Sequence, residues 1–233
     1  MKSVFITGTD TGIGKTVVAA SLLVAARARG INAAPMKPVQ TGCTRRGRQL
    51  LAPDLEFCLS AADLNPGPQE RHSMCPYRYI TASSPHLAAA LAGAHIQKET
   101  IRAYFRKIRA KYESIFVEGA GGVFVPIDGK STMLDLMKTL NLPVLLVARA
   151  GLGTINHTLL SLAELRRAKL RIVGVVLVQS SPGKAGCIEQ DNARAIEKFG
   201  RVPVLARLPW MKRPDPRKLA PRLEPTLRAL MKI

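Results

Sequence analysis

Aromatic residues are scarce in this chain: 5 % of 233 residues, with a single tryptophan. A protein that stacks unpaired bases needs aromatic faces interleaved with cations, so a single-stranded nucleic-acid platform is not expected. Acids are also few, 16 against 35 Lys and Arg, for a net charge of +19. That excess would suit a polyanionic partner. The cations are dispersed, however, with local clusters only at Arg45, Arg46 and Arg48, at Arg166, Arg167, Lys169 and Arg171, and at Lys212 and Arg213. A solvated basic surface, or attraction of small anionic substrates, is the expectation, and nucleic acid is not. The four cysteines, Cys43, Cys58, Cys75 and Cys187, form no CxxC pair. Reduced thiols are expected, without a zinc or redox site. Long apolar runs are missing too. The stretch from Leu142 is broken at Arg149, well short of the ~20 residues that span a bilayer. No signal-peptide pattern opens the chain, so a cytoplasmic location is expected.

What is present is alternation. Short β-branched runs fall at Ser3–Thr7, Ala33–Met36, Ser114–Glu118, Val144–Ala148, Ile172–Val178 and Pro203–Ala206. Helical patterns separate them: Lys15–Arg29, His86–Ala92, Gln97–Lys111, Ser131–Leu140, Thr154–Ala168, Ala185–Phe199 and, last, Glu224–Met231. "VLLVA" and "IVGVVLV" are continuous apolar runs, the mark of strands covered on both faces. The pattern predicts one α/β domain over residues 1–233, a doubly wound, mostly parallel sheet with helices on both faces. The tail "MKRPDPRKLAPRLEP" reads as surface loop before a last helix.

"VFITGTDTGIGKTVV", Val4 to Val18, joins the first strand to the first helix through a glycine-rich turn ending in Gly-Lys-Thr. Thr9 stands where a common phosphate-binding P-loop has glycine. In this context the backbone N–H groups of Gly12, Ile13, Gly14 and Lys15 point inward, and the helix N-terminus adds partial positive charge. Lys15 would reach the terminal phosphates of a nucleotide, and the Thr16 hydroxyl would bind Mg²⁺. Lys37 ends the second strand, over the carboxyl edge of the sheet where ligands of open α/β folds bind. Glu118 ends the strand "SIFVE", a usual place for an acidic metal partner. Asp54, in "LAPDLEF", is a third oxygen donor, with Glu56 a close competitor and helix capping an alternative for Asp54. "GAGG" after Glu118 lets backbone N–H groups approach an anion, or makes a tight turn. His86 and His157 invite a general-base role, and for His86 packing or backbone bonding is favoured.

Six ordered segments carry a resemblance. "GTDTGIGKT", "MKPVQTG", "SSPHLAA", "VEGAGGVFVPI", "GLGTINHTLL" and "LPW" are similar, in this order, to segments of the dethiobiotin synthetases, ATP-dependent carboxylases of the biotin pathway. They span roughly residues 4–211. The resemblance implies a P-loop NTPase fold and ATP and Mg²⁺ as cofactors. It also implies closure of 7,8-diaminononanoate and CO₂ to a cyclic urea through a carbamate and a carbamic-phosphoric anhydride. By the same resemblance Lys37 steadies carbamate and transferring phosphate, with Lys15 and Thr41 beside it. ATP would be held by Thr11, Gly12, Ile13, Gly14, Lys15, Thr16 and Val17, then by Asp54, Glu118, Gly119, Ala120 and Gly121. Gln179, Pro209, Trp210 and Met211 complete that set at the base. Substrate would meet Thr11, Lys37, Thr41, Gly122 and Asn156, the last reaching across a homodimer interface. Thr16, Asp54 and Glu118 are the implied Mg²⁺ ligands.

The family's base-reading Asn-Asp pair stands here as Val178-Gln179, with one residue missing beyond it. Valine cannot pair with adenine N6 and N7. Backbone in "LPWMK" is another candidate reader of the base. Two other classes compete. A partitioning-type P-loop ATPase switch would use the basic surface on DNA, but its signature lysine is replaced by Asp10. An amidotransferring synthetase of the cobyrinic-acid type needs a glutaminase domain, for which this chain is expected to be too short.

Overall fold

The computed structural model describes residues 2–47, 49–183 and 186–232. Arg48 of the basic loop, Lys184 of the "SSPGK" stretch and Ala185, expected to open a helix, lie outside the described residues. The first half carries β1 (Val4–Gly8), α1 (Lys15–Ala28), β2 (Ala33–Met36), β3 (Val39–Gln40), β4 (Thr44–Arg46), β5 (Gln49–Leu51) and α2 (Pro53–Ala61). There follow α3 (Pro68–Met74), β6 (Tyr77–Arg78), α4 (Pro85–Leu91) and α5 (Lys98–Arg109). The second half carries β7 (Ser114–Gly122), α6 (Met133–Leu140), β8 (Val144–Arg149), α7 (Thr154–Arg167), β9 (Ile172–Val178) and α8 (Cys187–Gly200). It ends with β10 (Val204–Leu208), α9 (Pro216–Leu219), a 3₁₀ turn (Ala220–Leu223) and α10 (Glu224–Met231).

Six strands form the central sheet in the order β10-β9-β8-β1-β7-β2, every pair parallel. Alternate side chains explain why both faces are covered. Val4, Ile6, Phe116 and Leu145 pack with α1 and the C-terminal helices. Phe5, Ile115, Val117 and Val144 pack with residues of α5 and α6. Leu146, Ala148, Val175 and Leu177 meet α7 and α8. The chain leaves β1 in one direction for β2 and later returns on its other side with β8, β9 and β10. The carboxyl ends of β1 and β7 therefore flank the crevice where such sheets bind ligands. Among the described residues no helix is long and apolar enough to cross a membrane.

Most expected element ends fall within two residues of the observed ones, except that β7 runs on through the glycines to Gly122. The tail is a correction. Residues 216–223, expected as surface loop, are helical, and Leu219, Leu223, Leu227 and Leu230 are buried against α1. Pro216 opens α9 at its first turn, and Asp215 accepts a hydrogen bond from the Arg217 backbone N–H at 3.0 Å. Proline at such starts promotes a helix rather than preventing it. Cys43, Cys58 and Cys75 are buried free thiols, and Cys187 is exposed. Burial pushes the Cys75 thiol up to about 12, which leaves it unreactive.

The cation excess has a partial account in helix ends. Arg27, Arg106, Lys107, Arg109, Lys138, Arg166, Arg167 and Lys198 all sit in last turns, where positive charge meets the negative end of the helix dipole. Acids fill the first turns of α5, α6, α8 and α10. The N-termini of α1 and α7 carry none.

Candidate active site

Between β1 and α1 the loop bends so that Gly14, at φ 95°, becomes the N-cap of α1. A side chain is strained at that φ, and a Cβ there would also stand 3.0 Å from Val178 Cγ1. On the far side Gly122 pairs with Gly8, and its own Cβ would lie 3.4 Å from the Gly8 and Thr9 carbonyl oxygens. The glycines after Glu118 thus let β7 approach the phosphate loop closely.

A cavity of about 620 Å³ opens over this loop. It gathers most of the expected residues: Thr11, Gly12, Gly14, Lys15, Thr16, Lys37, Thr41, Asp54, Glu118, Ala120 and Gly121 all line it. Gly119 contributes its carbonyl, which accepts from Lys37 Nζ at 3.3 Å. Ile13 is buried in the core beside the loop. A second cavity of about 230 Å³ shares Gly12 and Gly14 with the first and is lined by Ile13, Val17, Val178, Gln179 and the 208–211 segment. Pro209, Trp210 and Met211 stand there. Asn156 and His157 are exposed on the first turn of α7, and His86 is exposed on α4. None of the three lines either cavity.

Lys37 is the centre of the charge network. Its Nζ lies 2.6 Å from Glu118 Oε1 and 2.7 Å from Asp54 Oδ2. Burial alone would depress this lysine, but Glu118 and Asp54 outweigh it and hold the pKa above the ordinary value. Asp54, in turn, is held below the usual carboxylate range: burial works against ionisation, and Lys37 prevails. The competitor Glu56 is engaged elsewhere, with Arg71 at 2.6 Å. Helix capping by Asp54 is not seen. Ala52 is the N-cap of α2, Pro53 follows, and no side chain caps the helix.

Two carboxylates and the Thr16 hydroxyl, which donates to Glu118 Oε1 at 2.8 Å, offer hard oxygens in one place. Glu118 Oε2 is buried with no hydrogen-bond partner, an orphan acceptor of the sort a cation satisfies. The set fits Mg²⁺, which binds through one or two carboxylates and takes its remaining ligands from substrate phosphates and water.

Lys15 rests with its Nζ 2.6 Å from the Asp10 carbonyl oxygen. Burial pushes it down to about 8, helped by the Lys37 cation and opposed by Glu118, Asp10 and Asp54. A bound phosphate favours the ammonium form, so nucleotide binding should take up a proton above that pH. Affinity for a non-hydrolysable Mg-nucleotide is expected to be flat up to about pH 8 and then to fall toward tenfold per unit. Calorimetric titration from pH 7 to 10 checks this; a flat profile would mean that Lys15 does not meet the phosphates.

Two residues that the sequence does not single out support the site. Buried Gln40 donates from Nε2 to the Thr41 carbonyl at 3.0 Å and accepts from the Asp54 N–H at 3.3 Å. It fixes the loop after β3 to the start of α2. Arg149, at the end of β8, binds Asp10 Oδ2 at 2.7 Å, and Asp10 Oδ1 accepts from the Thr11 N–H at 2.7 Å. Gln40 lies inside the motif "KPVQTG", which is its signal; Arg149 has none, because only the sheet order brings it to the loop.

A family described as an AAA domain matches residues 2–218. The protein is 39 % identical over 210 residues to the "ATP-dependent dethiobiotin synthetase BioD" of Anaeromyxobacter sp. (strain K), a match covering 90 % of this chain and 91 % of that one. It is 41 % identical over 210 residues to the "Biotin biosynthesis bifunctional protein BioCD" of Bordetella avium (strain 197N), covering 90 % of this chain and 40 % of that protein. Among solved structures, the cell division ATPase MinD of Pyrococcus furiosus superposes with a TM-score of 0.65 at 16 % identity, over 100 % of this chain and 99 % of the other. That likeness is one of fold. With the relatives' identity extending across nearly the whole chain, and the loop, Lys37 and both carboxylates assembled round one cavity, the chain belongs to the ATP-dependent dethiobiotin synthetase family.

Proposed function

We propose that this protein carboxylates 7,8-diaminononanoate with CO₂ and closes the ring to dethiobiotin, consuming Mg-ATP and releasing ADP and phosphate. The observation that carries the reading is Lys37, buried and bonded to Glu118 and Asp54, in the same cavity as the phosphate loop.

One amine attacks CO₂, forming a C–N bond and losing a proton to give a carbamate. A carbamate oxygen then attacks the γ-phosphorus while ADP leaves. The second amine attacks the carbonyl carbon of the anhydride, and phosphate departs as the ring closes. The second step brings two anions together, carbamate and triphosphate, so the protein must supply fixed positive charge in a site shielded from water. Lys15 and Lys37 are both largely buried, at 6 % and 5 % exposure. Their charges balance Asp54 and Glu118 before substrate arrives. Mg²⁺, held by Thr16, Asp54 and Glu118, would supply charge neutralisation for the phosphates. Lys37 is the group for the carbamate and the moving phosphoryl, with Thr41 donating to the same anion. No side-chain base is required where the amines bind uncharged.

The substrate's carboxylate tail is assigned to the first turn of α7 from a second copy of the chain. That helix starts at Gly153 with no side-chain cap and no acid in its first turn, which leaves N–H donors for an anion. Asn156 is exposed there, beside Leu152 at 86 % and Leu160 at 60 % exposure, apolar surface that a homodimer would cover. Each chain would form one catalytic domain, working as a homodimer in the cytoplasm.

Phosphate release from Mg-ATP and bicarbonate, measured with and without the diamine, tests the reading. Release that depends on the diamine, together with formation of the cyclic urea, is expected. Equal hydrolysis without diamine would overturn it.

A further inference from the structure

The smaller cavity, next to the phosphate loop, is where a nucleotide's base would lie if its phosphates sit on Gly12 to Thr16, a placement that rests on the proposed function. Its walls are mostly apolar: Ile13, Val17, Val178, Leu208, Met211 and Leu219, closed by Pro209, Trp210 and Pro214. The polar groups at the end of β9 are already engaged. The Val178 carbonyl accepts from the Ala150 N–H at 2.8 Å, and the Gln179 N–H donates to the Leu208 carbonyl at 3.0 Å. The Gln179 side-chain amide donates to the Gly183 carbonyl at 2.8 Å, which turns its donor back onto its own loop. Pro209 and Pro214 have no N–H to give. Val178 itself packs against Gly14 and has no polar atom.

A base edge is recognised by donors and acceptors that are free and fixed in direction. Here, among the described side chains, the strand end offers none beyond Gln179 Oε1 and the exposed Ser180. Along 209–211 the backbone of Trp210 and Met211 is left to meet a base edge. We propose that this protein holds the base by shape and apolar contact rather than reading it, so that purine and pyrimidine nucleoside triphosphates are all accepted. Val178 is the residue that sets this tolerance. Affinity comes from the phosphates and from the face of Trp210, which every base can use.

Calorimetric binding of Mg-ADP, Mg-GDP, Mg-CDP and Mg-UDP to the full chain tests the inference without any turnover. The four dissociation constants are expected to lie within about tenfold of one another, the span of a single ordinary hydrogen bond. Val178→Asn should create a preference for ADP of roughly tenfold or more, since asparagine can pair with both N6 and N7 of adenine. Trp210→Ala should weaken all four together, by about tenfold. A preference for ADP above about tenfold in the unaltered protein would overturn the inference. So would a folded Val178→Asn variant with an unchanged spread, or Trp210→Ala weakening one base alone. Even binding without diamine-dependent turnover keeps this inference and removes the ligase reading. Selective binding with turnover does the reverse, and failure of all four nucleotides to bind removes both.

Discussion

Replacing Lys37 by alanine is expected to lower kcat by about 10²–10³-fold while the affinity for Mg-nucleotide stays within a few-fold. The asymmetry follows from the geometry. Lys37 is bonded to Glu118, Asp54 and the Gly119 carbonyl, whereas the phosphate loop closes through Lys15 and its own backbone. On the proposed mechanism its charge serves the group that reacts more than the group that anchors. A second signature accompanies the loss. Lys37 is one of the causes that depress Lys15, after burial. Without it the Lys15 pKa rises, and the alkaline fall in nucleotide affinity moves to higher pH. Steady-state kinetics and the pH titration check both parts. Retention of kcat within tenfold would remove Lys37 from the chemistry, and an unmoved pH profile would deny the coupling of the two lysines.

Glu118→Ala is expected to destabilise the fold measurably. It strips a buried cation of its nearer partner and frees the Thr16 hydroxyl as well. Breaking a buried ion pair from one side costs about 3–5 kcal/mol, which in a chain of this size lowers Tm by roughly 6–20 °C. Asp54 remains 2.7 Å from Lys37 and is half-buried, so the lower end of that range is expected. The companion Lys37→Met/Asp54→Asn/Glu118→Leu removes all three charges of the network and should recover most of the stability with no activity. Thermal unfolding of the three proteins decides it. If the triple variant is as unstable as Glu118→Ala, the cost lies in packing and not in the unpaired charge.

Much of this site is local in the sequence, and the local part is legible there. "GTDTGIGKT" contains its own strand end, turn and helix start, and Lys37 and Glu118 each close an apolar run, so their place at the sheet edge follows from the run. What is not legible depends on distant partners. Asp54 and Glu56 are equivalent acids two residues apart until α3 brings Arg71 to Glu56. Arg149 reaches Asp10 only because β8 lies beside β1. The β4–β5 hairpin pairs exposed residues such as Arg45 and Arg46, so it carries no apolar alternation to read. The tail is a different failure: Leu219, Leu223, Leu227 and Leu230 recur at helical spacing, but the prolines among them read as breakers when they mark helix starts.

That tail bears on how the protein comes to exist. The phosphate loop and α1 leave the ribosome well before Leu219, Leu223, Leu227 and Leu230, which bury one side of α1. Until then α1 presents an unmet apolar flank on the nascent chain, a surface that chaperones bind and aggregates share. The phosphate loop and its helix, made before that tail, become native only once it has arrived.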